Sequence, residues 1–427
     1  MKTAEYFQNK AKIADAKDSL AHFRYRFENT DNHLIYLDGN SLGRMPLATN
    51  QLLENVIQKQ WNERLIRSWN DHWVELPKKL AAKIAKIVGA REDEIFVGDN
   101  TSVNFYKLAF ASLKMQKDRT KIISDNLNFP SDLYLLQGLI ANSYKDHHLE
   151  ILESDDGILM NQEKVASALN DQTALLTLSM VVFKSAFMYD MKEINRLAHK
   201  HNALVLWDLS HASGAVPVNL NESNADMAVG CTYKYLNGGP GSPAFLYIRK
   251  DLQESLSSPI WGWFGHQKPF TFDLNYQPET SVWQFAAGTP GILSLAALEP
   301  GLDLLLEAGI ENLRMKSIAQ STLLQEMTEE FLQPLGFSLA SPQNPEQRGS
   351  HITLKHPEGF RISQAMIEPK NGSKVIIPDF RTPDNIRLGI APLYNSFNDI
   401  YECVIRLKSI VSEKEYLSYE SKLPTVT

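Results

Sequence analysis

The stretch "KIISDNLNFPSDLYLLQGLIANSYKDHHLEILES", Lys121 to Ser154, decides the fold. "KIISD" reads as a short apolar strand, "FPSDLYLLQGLI" as a helix, and "LEILES" as a second strand. The same order recurs on both sides. Upstream, "EIFVGD" ends in "NTS", which opens a helical stretch. Downstream, "NQEKVASALN", then "ALLTLSMV", then "MKEINRLAHKHN" continue the alternation, followed by the apolar runs "ALVLWDLS" and "DMAVGCTY". Apolar strands alternating with helices imply an α/β protein with a mostly parallel sheet and helices on both faces.

Farther out the pattern changes. Leu53, Val56, Ile57, Trp61 and Leu65 keep helical spacing, and a second amphipathic segment starts at Pro77 with Leu80, Ile84 and Ile87. Beyond the sheet region, "GILSLAALEPGLDLLLEAG" is helical, and "HITLKH", "KVIIPDF" and "NIRLGIAP" are candidate strands of a smaller α+β unit. A chain of 427 residues is too long for one typical core. The expected division is an N-terminal helical segment and arm over 1–89, a large α/β domain over 90–295 and a small C-terminal α+β domain over 296–427.

Composition narrows the function classes. The formal charge is -7, and Lys and Arg are scattered, so no basic stripe serves nucleic acid or an anionic membrane. The N-terminus has no apolar signal region, and no run is long enough to span a bilayer. Cys231 and Cys403 are the only cysteines, which gives neither a disulfide framework nor a metal pattern. A cytoplasmic protein is expected.

Ligands of an open parallel sheet bind beyond the carboxyl ends of its strands. Thr101 and Ser102 follow "EIFVGD"; Phe129, Pro130, Ser131 and Asp132 follow "KIISD"; Asp208 and His211 follow "ALVLW"; Tyr233 and Lys234 follow the run from Asp226. Each has an ordinary alternative. Thr101, Ser102 and Asp208 are suited to helix caps, His211 and Phe129 to a core, and Lys234 to snorkelling into solvent. Their shared placement on one sheet edge favours chemistry. Pyridoxal phosphate catalysis needs a lysine amine, a carboxylate beside the pyridine nitrogen, an aromatic ring over the cofactor, and phosphate donors at a helix N-terminus. Lys234, Asp208, Phe129 and the Thr101–Ser102 pair match those roles in number and kind.

Seven stretches then carry a family resemblance: "YLDGNSLG" from Tyr36, "GDNTSVN" from Gly98, "NFPSD" from Asn128, "WDLSHASGAVPV" from Trp207, "CTYKYLNGGPGS" from Cys231, "GWFGH" from Gly262 and "IRLGIAPLYNSF" from Ile386. Together they resemble the kynureninases, pyridoxal phosphate enzymes of fold type I. The resemblance implies hydrolysis of L-kynurenine, or 3-hydroxykynurenine, to anthranilate or 3-hydroxyanthranilate and L-alanine, in tryptophan catabolism and NAD biosynthesis. It implies Lys234 as covalent anchor and mover of the α-proton, Asp208 on the pyridine nitrogen, and Phe129 on the ring with Asp132 nearby. Thr101, Ser102, Tyr233 and Trp263 would surround the phosphate, and Ser179, His211 and Thr289 would complete the cofactor site.

Trp263 and Thr289 stand where the family often reaches the phosphate of the partner subunit, which implies a homodimer with shared active sites. Arg387 is the candidate clamp for the substrate carboxylate, with Arg381 in competition. Asn40, Ser41 and Trp69 are candidates for the substrate side, Trp69 with core packing as its alternative. Tyr233 has a second role open to it, relaying a proton. One departure stands out. In "VVFKSAFMYD", Val182 and Ala186 replace a polar residue and a glycine usual in the family, which points to altered substrate choice. The rival classes are an aminotransferase of the same fold, a cysteine desulfurase, and a catalytically silent cofactor-binding protein.

Overall fold

The computed structural model describes residues 2–27, 33–370 and 372–421. A short strand, β1 (Leu34–Tyr36), precedes seven strands that form one sheet: β2 (Ile95–Val97), β3 (Lys121–Asp125), β4 (His148–Leu152), β5 (Thr173–Ser179), β6 (Leu204–Asp208), β7 (Met227–Gly230) and β8 (Phe245–Ile248). The C-terminal part holds β9 (Ser338–Leu339), β10 (His351–Lys355), β11 (Val375–Ile377), β12 (Asp379–Arg381) and β13 (Asn385–Gly389).

The seven-stranded sheet has the order β2-β8-β7-β6-β5-β3-β4. The quoted stretch behaves as its pattern requires, since β3 and β4 pair in parallel with the helix Pro130–Asn142 between them. β3, β5, β6 and β7 also pair in parallel, while β8 runs antiparallel between β7 and β2. Side chains of one strand alternate between the faces. Val205 and Trp207 of β6 enter one core, whereas Leu204 and Leu206 enter the other. Both faces are therefore buried, which explains why the strands read as continuous apolar runs.

A third core belongs to the C-terminal unit, built on Ile352, Leu354, Ile386 and Leu388 beneath the helix Phe397–Ser412. The four-stranded sheet there has the order β12-β13-β10-β9. "KVIIPDF" is not one strand: Pro378 divides it, and β11 pairs in parallel with β1 while β12 joins β13. Proline has no N–H for a ladder, so a break at this point is expected on physical grounds.

The first ninety residues contribute to more than one core. Phe7 and Ala11 pack with the C-terminal unit, and Leu80 and Ile84 with the large sheet. The segment following Leu53 is helical but irregular, with wide turns over Val56–Arg64 and Trp69–Trp73 around a short tight turn. Among the described residues, no helix is long and apolar enough to cross a membrane.

Candidate active site

β6 ends at Asp208, directly opposite Ser179 at the end of β5. No helix follows Asp208, so it is not a cap. Its Oδ1 accepts the Ser210 N–H at 2.8 Å, which turns the chain and carries His211 back over the strand ends. β7 stops at Gly230, so Lys234 lies four residues past the strand, in a turn rather than at the strand end. The Lys234 amine stands 3.3 Å from Nε2 of His211 and 3.5 Å from Nδ1. His211 is thus not an ordinary core histidine. Burial, then the Lys234 charge and the neighbouring His351, hold it well below the usual histidine range, and it is neutral.

The turn that presents Lys234 is braced from the N-terminal arm. Gly43 N–H donates to the Tyr233 carbonyl at 2.8 Å, and a Cβ at Gly43 would lie 2.2 Å from the Lys234 carbonyl oxygen. Only glycine permits that approach. The family stretch from Tyr36 therefore supports the lysine through backbone contact.

Asp132 and Asp208 are both buried near Lys234. Burial, reinforced by the Asp208 charge, raises Asp132 well above the carboxylate range. Burial also raises Asp208, against its hydrogen bonds to Ser210 and the attraction of Lys234. The pair therefore favours sharing a proton, with burial and the Asp208 charge both pushing Asp132 toward its protonated form. Asp132 Oδ2 is buried without a hydrogen-bond partner, a costly condition for a polar atom. A site with two carboxyl groups and an unpaired acceptor suits a cationic N–H, as in a protonated pyridine ring.

The helix Thr101–Met115 is capped by Asn100, whose Oδ1 accepts the Val103 N–H at 2.9 Å. Thr101 and Ser102 are consequently spared the capping role considered for them. Ser102 Oγ lies 3.1 Å from Ser131 Oγ, at the first turn of the helix that begins with Pro130. Two helix N-termini thus meet through a pair of hydroxyls, a setting that favours a dianion. Phe129 immediately precedes that second helix, 42% exposed, with its ring held edge-on against Phe183 at 5.2 Å. Ser179 Oγ is 2.6 Å from Asn128 Oδ1, which ties β5 to the loop carrying Phe129. These residues fit pyridoxal phosphate: hydroxyls at helix termini, a partly uncovered aromatic ring, a carboxylate pair and an amine.

Arg387 is 1% exposed, and its guanidinium is already engaged. Nε and Nη2 bind Asp379, Nη1 donates to the Phe183 carbonyl, and Nη2 lies 3.3 Å from Ser41 Oγ. Arg381 also approaches Asp379, at 3.3 Å, but is more open to solvent. The nature of Arg387 as a shared rather than a waiting cation could not be read from sequence, because Asp379 faces it only through the β12–β13 register. Asn40 is fully buried, with neither of its side-chain polar atoms partnered.

Asp38 lies in the same group. Burial, then the Asp379 charge, push its carboxyl up to about 6. Since the folded state holds this proton more tightly than the unfolded chain, Asp38 favours folding at low pH, and that contribution is lost as pH rises through about 6. Asp38→Asn is therefore expected to gain up to about 3 kcal/mol on the wild type between about pH 4 and pH 7, measured by urea melts. A pH-independent difference would contradict the assignment.

Trp69, Trp263 and Thr289 belong to another surface. The Trp69 ring packs on Trp73 and Phe264, Trp263 packs on Phe264, Phe270 and Phe272, and the Phe264 N–H meets the Ala287 carbonyl near Thr289. Among the described residues, no hydrogen bond or ring contact joins this group to Lys234 or His211. Val182 enters the large core rather than a polar recess, and Ala186 holds a left-handed φ of 63°, a conformation suited to the glycine usual in the family. Cys231 and Cys403 are buried, and burial raises both thiols, so neither is a reactive cysteine.

Comparison with known proteins bears on the family and the fold. Residues 313–407 match the family model described as the kynureninase C-terminal domain. A kynureninase from Pseudomonas fluorescens is 37% identical over 414 residues, covering 96% of each chain. One from Burkholderia mallei (strain SAVP1) is 37% identical over 425 residues, covering 98% of each. Among solved structures, the apo cysteine desulfurase from Thermococcus onnurineus NA1 aligns with a TM-score of 0.77 at 18% identity, over 92% of this chain and 98% of that one. A C-DES mutant with glycine covalently linked to the PLP cofactor aligns equally well, with a TM-score of 0.77 at 18% identity over 90% and 98% of the chains. At that identity the likeness to these structures concerns the fold alone. Identity over nearly the whole length is decisive for the family: the chain is a member of the kynureninases.

Proposed function

We propose that the enzyme uses pyridoxal phosphate to hydrolyse the Cβ–Cγ bond of L-kynurenine, releasing anthranilate and L-alanine. The observation that carries the reading is the meeting of the Lys234 amine, neutral His211 and the Asp132–Asp208 pair beyond the strand ends, in a chain 37% identical to kynureninases along almost its full length.

When bound, pyridoxal phosphate supplies an aldehyde that captures the substrate amine and a protonated ring that draws electrons from the adjacent carbons. Lys234 would hold it covalently and, once displaced, carry the proton at the substrate Cα. Asp208 would keep the ring nitrogen protonated, because an adjacent negative charge favours the charged form. Thr101 and Ser102 would take the phosphate, with Pro130 and Ser131 shaping its other wall. Phe129 would cover the ring, and Ser179 and His211 would fix its edge. Burial raises Tyr233 far above neutrality, so its hydroxyl is protonated and suited to deliver a proton to Cβ after anthranilate leaves. Arg387, with Asn40 and Ser41, would receive the α-carboxylate.

A homodimer completes the proposal. Trp261, Trp263 (39% exposed), Phe270, Phe272 and Leu274 leave large apolar surface uncovered on one segment, and patches of this kind mark association sites. Trp263 on that segment, and Thr289 in the neighbouring stretch whose Ala287 carbonyl meets the Phe264 N–H, would serve the partner's phosphate site, and Trp69 beside Phe264 would border the substrate ring.

Reconstituted enzyme incubated with L-kynurenine is expected to form fluorescent anthranilate and L-alanine in equal amounts. Glutamate formation from 2-oxoglutarate without anthranilate would point to an aminotransferase instead. 3-Hydroxykynurenine in parallel ranks the two substrates, and a monomeric mass by light scattering with full activity would remove the dimer.

A further inference from the structure

The small sheet turns a polar face to the site. Alternation along β10 sends Ile352 and Leu354 into the small core and leaves His351 and Thr353 on the opposite face. Across the ladder, His351 stands opposite Gly389 and Thr353 opposite Arg387, which in turn stands opposite Asp379. His351, Arg387 and Asp379 therefore share one face. Gly389 leaves room on it, since a Cβ there would lie 1.8 Å from Asn40 Oδ1.

His351 is fully buried, its ring centroid 5.7 Å from that of His211, the neighbour of the Lys234 amine. Neither of its ring nitrogens has a hydrogen-bond partner, and neither polar atom of the Asn40 side chain has one. The Phe183 and Lys184 carbonyls lie close to the imidazole, yet they accept from Arg387 and from Thr353 Oγ1. Burial, then Arg387 and Lys234, hold His351 well below the usual histidine range, so it is neutral with one N–H to give.

Arg387 alone is short of donors. Of its five N–H groups, those on Nε and Nη2 are directed to Asp379 and Ser41, and one on Nη1 to Phe183. One N–H remains for a carboxylate with two oxygens. Val182, apolar and buried, adds no polar group from the adjoining loop.

We propose that His351 is a substrate-binding residue that donates a hydrogen bond to the α-carboxylate of the amino-acid substrate, beside Arg387. The proposal rests on the reading of this site as one that takes an α-amino acid. A hydrogen bond to a charged acceptor is among the stronger ones, so its loss is read as weaker binding rather than slower chemistry.

The test compares the wild-type holoenzyme with His351→Leu and His351→Gln. L-Alanine affinity, read from the visible spectrum of the bound cofactor, is expected to fall about 10- to 100-fold in His351→Leu. Binding of 2-aminoacetophenone, which has no α-carboxylate, is expected to stay unchanged. His351→Gln, whose amide can donate, recovers most of the loss, and KM for L-kynurenine rises with L-alanine affinity while kcat changes little. Equal losses for both ligands, or none, would overturn the proposal. If His351→Leu does not fold, the imidazole nitrogen signals of ¹⁵N-histidine-labelled wild type decide: L-alanine must shift the signal missing from His351→Gln. A wild type that binds L-alanine but forms no anthranilate would refute the hydrolytic reaction and leave His351 testable.

Discussion

Lys234→Ala, loaded with pyridoxal phosphate and desalted, is expected to come through colourless, with anthranilate formation reduced at least about 10³-fold. The amine 3.3 Å from His211 is the group proposed both to anchor the cofactor and to move the α-proton. Its removal takes both contributions at once. Borohydride reduction of the wild type should fix the cofactor on the peptide containing Lys234, and a modified peptide elsewhere would refute the anchor. Exogenous amines should restore part of the rate without restoring covalent retention. A coloured, fully active Lys234→Ala protein would remove the foundation of the mechanism.

Asp208→Asn and Asp132→Asn are expected to differ sharply. An Asn at 208 removes the charge proposed to keep the ring nitrogen protonated, and a loss of about 10²- to 10⁴-fold in kcat is expected. An Asn at 132 resembles the protonated acid that burial and the Asp208 charge already favour. A change of no more than about tenfold is expected there, since one buried proton is exchanged for an N–H of similar shape. The spectrum of the bound cofactor should move with Asp208→Asn and barely with Asp132→Asn. The reverse order would exchange the roles of the two carboxyls, and equal large losses would mean that they act only as a unit.

Much of this was legible in sequence because the information is local. The strand-helix-strand pattern around Lys121 requires only the periodicity of its own residues, and parallel β3 and β4 follow from it. Motifs at strand ends are legible for the same reason: wherever strands run parallel in one sheet, their carboxyl ends share an edge. What escaped was set by partners distant in the chain. Phe245–Ile248 is as apolar as its neighbours, and nothing in it tells that β8 runs antiparallel between β7 and β2. Asn100, not Thr101, caps its helix because the cap depends on where the first turn begins, one residue earlier than the hydroxyl pair suggested. His351 carried no signal, since one histidine in an apolar strand reads as core until the ladder sets it opposite Gly389.

The loop from Val182 to Met188 shows the same limit from the other side. Its departures were visible, but their structural setting was not. Ala186 carbonyl accepts the Gly349 N–H at 2.7 Å, and Met188 N–H donates to the Gln347 carbonyl at 2.9 Å, so backbone atoms bind this loop to the small unit whatever its side chains are. Val182 in the core is compatible with an intact site, and substrate preference is more directly examined through the polar face carrying Arg387.

That polar face has a consequence for how the gene can vary. Arg387, Gly389, His351 and Asp379 reach the site because each occupies the same parity in its strand. Inserting or deleting one residue within β13 would rotate the downstream strand by a half-period, turning the row inward to outward and sending Ile386 or Leu388 toward the amine. Length changes within these strands are consequently barred more strictly than point substitutions, and the turn between them is held too, since the Asp384 carbonyl accepts the His356 N–H at 3.1 Å.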